Sequence, residues 1–230
     1  MPSNRIAVLV FLSFLTAAPL SYGKDVSQWN SSLIVSVGQS TSDKACKSPW
    51  VDGTPGLTCT ENDRAYRLAY VYHFNSNLGL EISTGSFGHA KAEGTLNTAP
   101  SPMVAPAAYT WDLHATGVAI AGVGTLHLGE SLELFGKAGI VRAIVREETH
   151  FVDATGTPYF GISLNGTPIT SENLYKITVG AGIQYNFNRN FAIRAQYENF
   201  GSYDIYSAYN VGVDDKVTIS LLSAGLVLNF

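Results

Sequence analysis

The sequence predicts an all-β fold, an eight-stranded antiparallel up-and-down transmembrane β-barrel. Side chains alternate with period two over segments longer than most soluble strands, and those segments are joined alternately by short and long connections. Beyond the N-terminus no stretch reaches about 18 uninterrupted apolar residues, which leaves no helical membrane span in the body of the chain. Composition agrees: 12 Tyr, 11 Phe and 22 Gly stand beside 2 Met and 2 Cys, a balance suited to twisted, glycine-punctuated strands. At 46% hydrophobic and 14% charged the totals would also fit a soluble chain, so the arrangement decides.

The first residues, "MPSNRIAVLVFLSFLTAAPLSYGKD", set Arg5 ahead of an apolar core from Ile6 to Leu15 and then small residues. That is the pattern of a cleaved secretory signal peptide, expected over residues 1–23. Cleavage after Gly23 puts Ser21 at the minus-three position, and cleavage after Ala18 is the alternative. The barrel domain is then 24–230, with 13 basic against 18 acidic side chains and a net charge of −5 once Arg5 is removed. Nucleic acid is not expected as a partner at that balance. Cys46 and Cys59 form an even pair in a polar, Pro- and Gly-rich stretch of an exported chain, which predicts a disulfide that stiffens a loop. No metal-ligand spacing surrounds them or the scattered His73, His89, His127 and His150, so neither a metal nor a cofactor is expected.

In order, strands are expected at 32–40, 64–74, 78–87, 109–126, 132–147, 173–187, 191–201 and 216–230. The second sets Tyr66, Leu68, Tyr70, Tyr72 and Phe74 against Arg67, Ala69, Val71 and His73. The third sets Leu78, Leu80 and Ile82 against Gly79, Glu81 and Ser83. In the fourth and fifth the pattern is less clean: "GVAIAGVG" is small and apolar on both faces, and Arg142 falls on the apolar face near an end. The sixth is the most regular, with every odd position from Tyr175 to Phe187 apolar or aromatic and the aromatics at its ends, where headgroups would lie. The seventh sets Phe191, Ile193, Ala195 and Tyr197 against Arg194, Gln196 and Glu198, and the eighth closes on "SLLSAGLVLNF". "NSN" at 75–77, "HLGES" at 127–131 and "NRN" at 188–190 are tight turns, whereas 41–63, 88–108, 148–172 and 202–215 are long and polar. Short on one side and long on the other, the two ends face different compartments.

The same alternation could be read inside out, because a soluble barrel places its apolar residues inward. Aromatics at strand ends, small residues on the polar face and charges of both signs there favour an apolar exterior. A Lys or Arg facing lipid costs about 2–4 kcal/mol at mid-bilayer, and only Arg142, near the outer rim, breaks that rule. Unpaired backbone groups are costly in hydrocarbon, so the last strand must pair with the first up to Phe230. Asp112, His114 and Thr116 share a face of "WDLHATG" and are expected to point inward near the outer rim. Their i, i+2, i+4 spacing is what any polar strand face produces, and no catalytic role is expected for them.

The segments "RLAYVYHFNSNLGLEISTGSFG", "LFGKAGIVRA", "VGAGIQYNFNRNFAIRAQYENFG" and "LLSAGLVLNF" together resemble the OmpA-type transmembrane barrel of Gram-negative outer membranes, over most of residues 32–230. The resemblance implies an outer-membrane structural and surface-interaction protein, embedded in outer-membrane lipid and lipopolysaccharide, of the short kind without a peptidoglycan-binding domain. It implies that Leu226, Leu228 and Phe230 are read by the barrel-assembly machinery. It also implies a lumenal charge network: the third-strand Glu corresponds to Glu81, the fifth-strand Arg to Lys137 and the seventh-strand Arg to Arg194. The sixth-strand Glu is Gln184 here, and the fourth-strand Lys falls near Gly122 or Val123. With two members replaced, a static Glu81–Arg194 pair joined by Lys137 and Glu198 is expected, plugging the lumen. A small-solute channel is the alternative reading, and a lipid A-modifying enzyme ranks behind it. Arg142 and Arg146 are placed to meet lipopolysaccharide phosphates. The segments "FGISLNGTPIT" and "GSYDIYSAYN" have the Tyr and Ser content of recognition loops, for example toward a host surface ligand.

Overall fold

A computed structural model describes residues 30–47, 55–97, 104–160, 169–204 and 216–230. The expected signal peptide lies outside the described residues, as do 161–168 and 205–210 of the two recognition segments. Among the described residues ten strands follow one another: β1 (Ser31–Asp43), β2 (Leu57–Thr60), β3 (Asn62–His73), β4 (Leu78–Leu96), β5 (Ala107–His127), β6 (Leu132–Val152), β7 (Pro158–Phe160), β8 (Ile169–Asn186), β9 (Phe191–Asp204) and β10 (Lys216–Asn229). Eight of them, β1, β3, β4, β5, β6, β8, β9 and β10, pair antiparallel with their neighbours and close into a barrel. The short β2 and β7 add to the outer ends of β4 and β6.

Closure joins β1 to β10 from Ser32 opposite Asn229 to Asp43 opposite Thr218. Pairing continues to the last residue: Phe230 N donates to Ser31 O at 3.0 Å, and Ser31 N donates to Phe230 O at 3.2 Å. Two tight turns use the same device. Asn75 Oδ1 accepts from the amides of Asn77 and Leu78, both at 2.9 Å, and Asn188 Oδ1 accepts from those of Asn190 at 2.9 Å and Phe191 at 3.0 Å. The side chain supplies the turn's acceptor, which is why an Asn opens both "NSN" and "NRN".

Within the inner half of the wall the apolar face looks outward. Tyr70, Ile193 and Leu226 are 39%, 44% and 64% exposed, against 1% for Glu81 and 6% for Arg194. Aromatic contacts between Tyr72 and Phe74, Tyr185 and Phe187, and Tyr70 and Phe230 form the girdle at the short-turn end, with centroids 5.4, 5.3 and 6.5 Å apart.

The outer half departs from expectation. β5 and β6 each run for 21 residues, whereas a tilted strand crosses the hydrocarbon in about 9–11, so roughly half of each stands outside the bilayer. Residues 88–96 and 107–108 of the expected long connection are therefore strand. Where the wall leaves hydrocarbon, the polarity of its two faces reverses. Along β5 the outward residues pass from Leu126, Ile120 and Val118 to Thr116, His114 and Asp112, while the inward ones pass from Ala121 and Ala119 to Leu113, Trp111 and Tyr109. Asp112, His114 and Thr116 thus point outward, not inward. Water outside the projecting wall demands polar groups there, and the interior at that height must exclude water with apolar ones.

That upper interior is a continuous core in which Phe87, Trp111, Leu113, Val141, Phe200, Tyr203, Ile219 and Leu221 are buried together. A bulge in β4 between Ser86 and His89 keeps Phe87, Ala90 and Ala92 on the inside. Gly88 permits it, with φ at 86° and a position where a Cβ would fall 1.5 Å from Ser40 Oγ. Cys46 and Cys59 are bonded, with Cα atoms 5.7 Å apart, which ties the short helical turn Ala45–Lys47 to β2. Between β6 and β7, Asp153 accepts from the Thr155 hydroxyl at 2.6 Å and from the Thr157 amide at 3.0 Å. These bonds, the Thr155 hydroxyl foremost, hold its carboxyl below the usual carboxylate range.

Candidate functional site

Five charged side chains from four strands meet inside the barrel: Arg67 on β3, Glu81 on β4, Lys137 on β6, and Arg194 and Glu198 on β9. Each occupies an inward position of a continuous strand, so alternation alone aims them at the axis. Lys137 Nζ bridges the two carboxylates, donating to Glu81 Oε1 at 3.0 Å and Glu198 Oε2 at 2.6 Å. Arg67 Nη2 donates to Glu81 Oε1, and Arg67 Nε lies 3.4 Å from Glu198 Oε2. Arg194 Nη1 reaches Glu81 Oε2 at 3.4 Å, while its Nε donates to Gln184 Oε1 at 3.1 Å. The Arg194 guanidinium also lies 4.0 Å from the centroid of the Phe135 ring, a cation–π contact. Thr178 Oγ1 donates to Glu198 Oε1 at 3.1 Å. Glu81 is therefore the hub, with three cations around one carboxylate.

The structure brings Glu81, Lys137, Arg194 and Glu198 together and adds Arg67. Arg67 stood on the polar face of its strand in the sequence, and that inward parity was the only signal for it. Gln184 belongs to the cluster as an acceptor for Arg194, whereas Gly122 and Val123 bring no charge. Room for Lys137 comes from Gly180 directly across the β6–β8 ladder, where a Cβ would fall 2.9 Å from Lys137 Cε and 2.9 Å from Tyr197 O. Gly180→Ala should displace the Lys137 stem and destabilise the barrel by about 1–3 kcal/mol, measured as a lower urea midpoint in lipid vesicles.

Further layers lie on either side of the ions. Toward the short turns, Ile34, Ala69, Val71, Ala192 and Val227 form a small apolar cluster. At the inner mouth Glu133 accepts from Asn186 Nδ2 at 2.7 Å and Gln184 Nε2 at 3.2 Å. On the outer side, Phe87 and Phe200 stack with centroids 4.0 Å apart and planes 21° from parallel.

On the outward face of the projecting wall, Asp112 pairs in register with Lys91, and His114 with both His89 and Arg146. The His89 and His114 rings are 6.4 Å apart, His89 Nδ1 bonds Asp63, and His89 Nε2 is 4.0 Å from Asp112 Oδ1. Arg142 and Arg146 are exposed on this same face. Leu226, Leu228 and Phe230 all face outward on the inner part of β10 and just beyond it. Among the described residues no group of three or more His, Cys, Asp or Glu is arranged to hold a metal ion.

A family profile described as OmpA-like transmembrane domain matches residues 33–230. The chain belongs to this family. No curated protein sequence matches it. Similar solved structures include Ail, the attachment invasion locus protein of Yersinia pestis, in complex with the heparin analogue sucrose octasulfate, at 20% identity, over 86% of this chain and 99% of that one, with a TM-score of 0.42. They also include Neisserial surface protein A, at 12% identity, 87% and 97% coverage and a TM-score of 0.45. A third is the N-terminal β-barrel domain of Pseudomonas aeruginosa OprF, at 13% identity, 88% and 98% coverage and a TM-score of 0.47. As an OmpA-like transmembrane barrel of the outer-membrane type, the chain presents Val35, Leu68, Ile82, Ile120, Ile177 and Leu222 to hydrocarbon. A band of that kind would not be tolerated in water.

Proposed function

We propose that this OmpA-like barrel is a structural and surface-contact protein of the outer membrane whose lumen is closed to solutes. One observation carries this reading: the ion cluster around Glu81 lies between an inner apolar cluster and an outer aromatic core, so a solute would have to cross all three. The chain is exported by a cleaved signal peptide at 1–23 and assembled by machinery that reads Leu226, Leu228 and Phe230. Its wall sits among outer-membrane lipid and lipopolysaccharide, with Arg142 and Arg146 toward lipopolysaccharide phosphates. Above them the loops and the polar outer wall are the parts a host surface ligand would meet.

No catalytic role is assigned. Asp112, His114 and Thr116 face outward on the part of the wall that projects into water, and nothing joins them into a relay. The bonds there run instead between His89, Asp63 and Asp112.

Planar-bilayer recordings test the closed lumen. The unaltered chain and Arg194→Ala should both show near-zero single-channel conductance, because removing one guanidinium leaves the Phe87–Phe200 layer in place. Discrete, sustained openings of the unaltered chain would replace this reading with that of a small-solute channel.

A further inference from the structure

We propose that the lumen also contains a binding site for a small monovalent anion, with chloride as its physiological occupant, formed by Arg67, Gln196 and Ser223. The site goes beyond the closed-lumen reading and rests on it for the apolar layers that keep water from the ion, while its tests read ion density and salt-dependent stability rather than conductance.

Gln196 is only 3% exposed and faces inward, yet neither its Nε2 nor its Oε1 has a hydrogen-bond partner in the protein. The same is true of Ser223 Oγ and of Arg67 Nη1, equally enclosed, while Arg67 Nε is held in its ion pair with Glu198. Register places these groups on one side of the barrel. Gln196 and Ser223 are direct cross-strand partners between β9 and β10, and Ser223 continues the row to Gly38 on β1 and Ala65 on β3. The next row toward the inner mouth runs Arg194, Gly225, Ser36, Arg67. The Ser36 hydroxyl is already spent on Arg67 O, at 3.4 Å. Unpartnered buried polar groups are uncommon in folded proteins, and several gathered on one stretch of wall point to a ligand between them.

The chemistry selects an anion. Arg67 offers the N–H groups of Nη1, Gln196 its amide N–H pair and Ser223 its hydroxyl, while only Gln196 Oε1 and the hydroxyl oxygen can accept. Charge does not oppose an anion: Arg67, Lys137 and Arg194 face two fully enclosed carboxylates, Glu81 and Glu198, and a third, Glu133, through Gln184. The next carboxylate, Glu133, is at the inner mouth, partly exposed and held by Asn186 and Gln184. A single halide would satisfy several of these donors at once. Apolar layers on both sides favour a small, dehydrated ion over phosphate or a carboxylic acid.

Two measurements on the full refolded chain test the site. Crystals grown in sodium bromide should show an anomalous peak inside the barrel between Arg67, Gln196 and Ser223. Urea unfolding in sodium chloride and in sodium gluconate, at matched ionic strength, should diverge. For a dissociation constant of about 50 mM, raising chloride from about 10 to 500 mM would increase the folding equilibrium constant roughly tenfold. Gln196→Leu and Ser223→Ala should abolish that difference while keeping heat-modifiable migration. If Gln196→Leu does not fold, Ser223→Ala and the bromide map of the unaltered chain decide the matter. Either lumenal density without anomalous signal, which identifies water, or equal stability in the two salts overturns the site.

Discussion

Lys137→Met is expected to lower the stability of the folded barrel by about 3–5 kcal/mol, because it strands a buried carboxylate rather than because it removes an attractive pair. Glu81 would keep Arg67 and Arg194, but Glu198 would be left with Thr178 and the Arg67 Nε at 3.4 Å. The double variant Lys137→Met with Glu198→Gln should recover most of the loss, since a neutral amide tolerates the site that an unpaired carboxylate does not. Urea titration in phosphatidylcholine vesicles, followed by heat-modifiable gel migration, measures both. Enclosed charges are little screened, so high salt should not erase the effect. A loss below about 1 kcal/mol, or no recovery in the double variant, would mean that the cluster is hydrated and energetically slack.

Phe200→Ala should cost a similar amount, about 3–5 kcal/mol, but in a different place. Phe200 is wholly buried, stacks on Phe87, and provides the backbone oxygen that accepts the Tyr203 hydroxyl at 2.8 Å. Its removal opens a void in the outer core, beyond the membrane, while the inner wall remains gripped by lipid and its own ladder. Limited proteolysis should therefore cut the projecting parts of β4, β5 and β6 in this variant and spare the inner barrel. Ile120→Ala, which trims a side chain facing lipid, should leave that protease resistance unchanged. Equal resistance of Phe200→Ala and the unaltered chain would show that the outer core does not support the projecting wall.

Much of the architecture was legible in the residues. Asn at the first position of "NSN" and "NRN" marked two tight turns, and the strict alternation from Tyr175 to Phe187 marked a strand and its two faces. The pairing of Phe230 with Ser31 matches the requirement that a barrel in hydrocarbon leave no backbone group unpaired. The irregular fourth and fifth strands carried information that alternation by itself could not decode. They cross from lipid to water midway, so a single assignment of polar and apolar faces fails over their length.

By itself, then, the sequence determined the eight barrel strands over their inner parts, their order and which side chains share a face there, because period two is a local property of an extended chain; β2, β7 and the outer extensions of β4 and β6 came only with the structure. Which of the two faces looks inward at each height was decided only by the closed barrel and its position across the bilayer, since the solvent outside changes from lipid to water at about Thr116. The choice of ion partners was likewise tertiary. Arg67 and Glu198 lie 131 positions apart in the chain, and only the stagger of strands around the barrel brings their side chains to the same height.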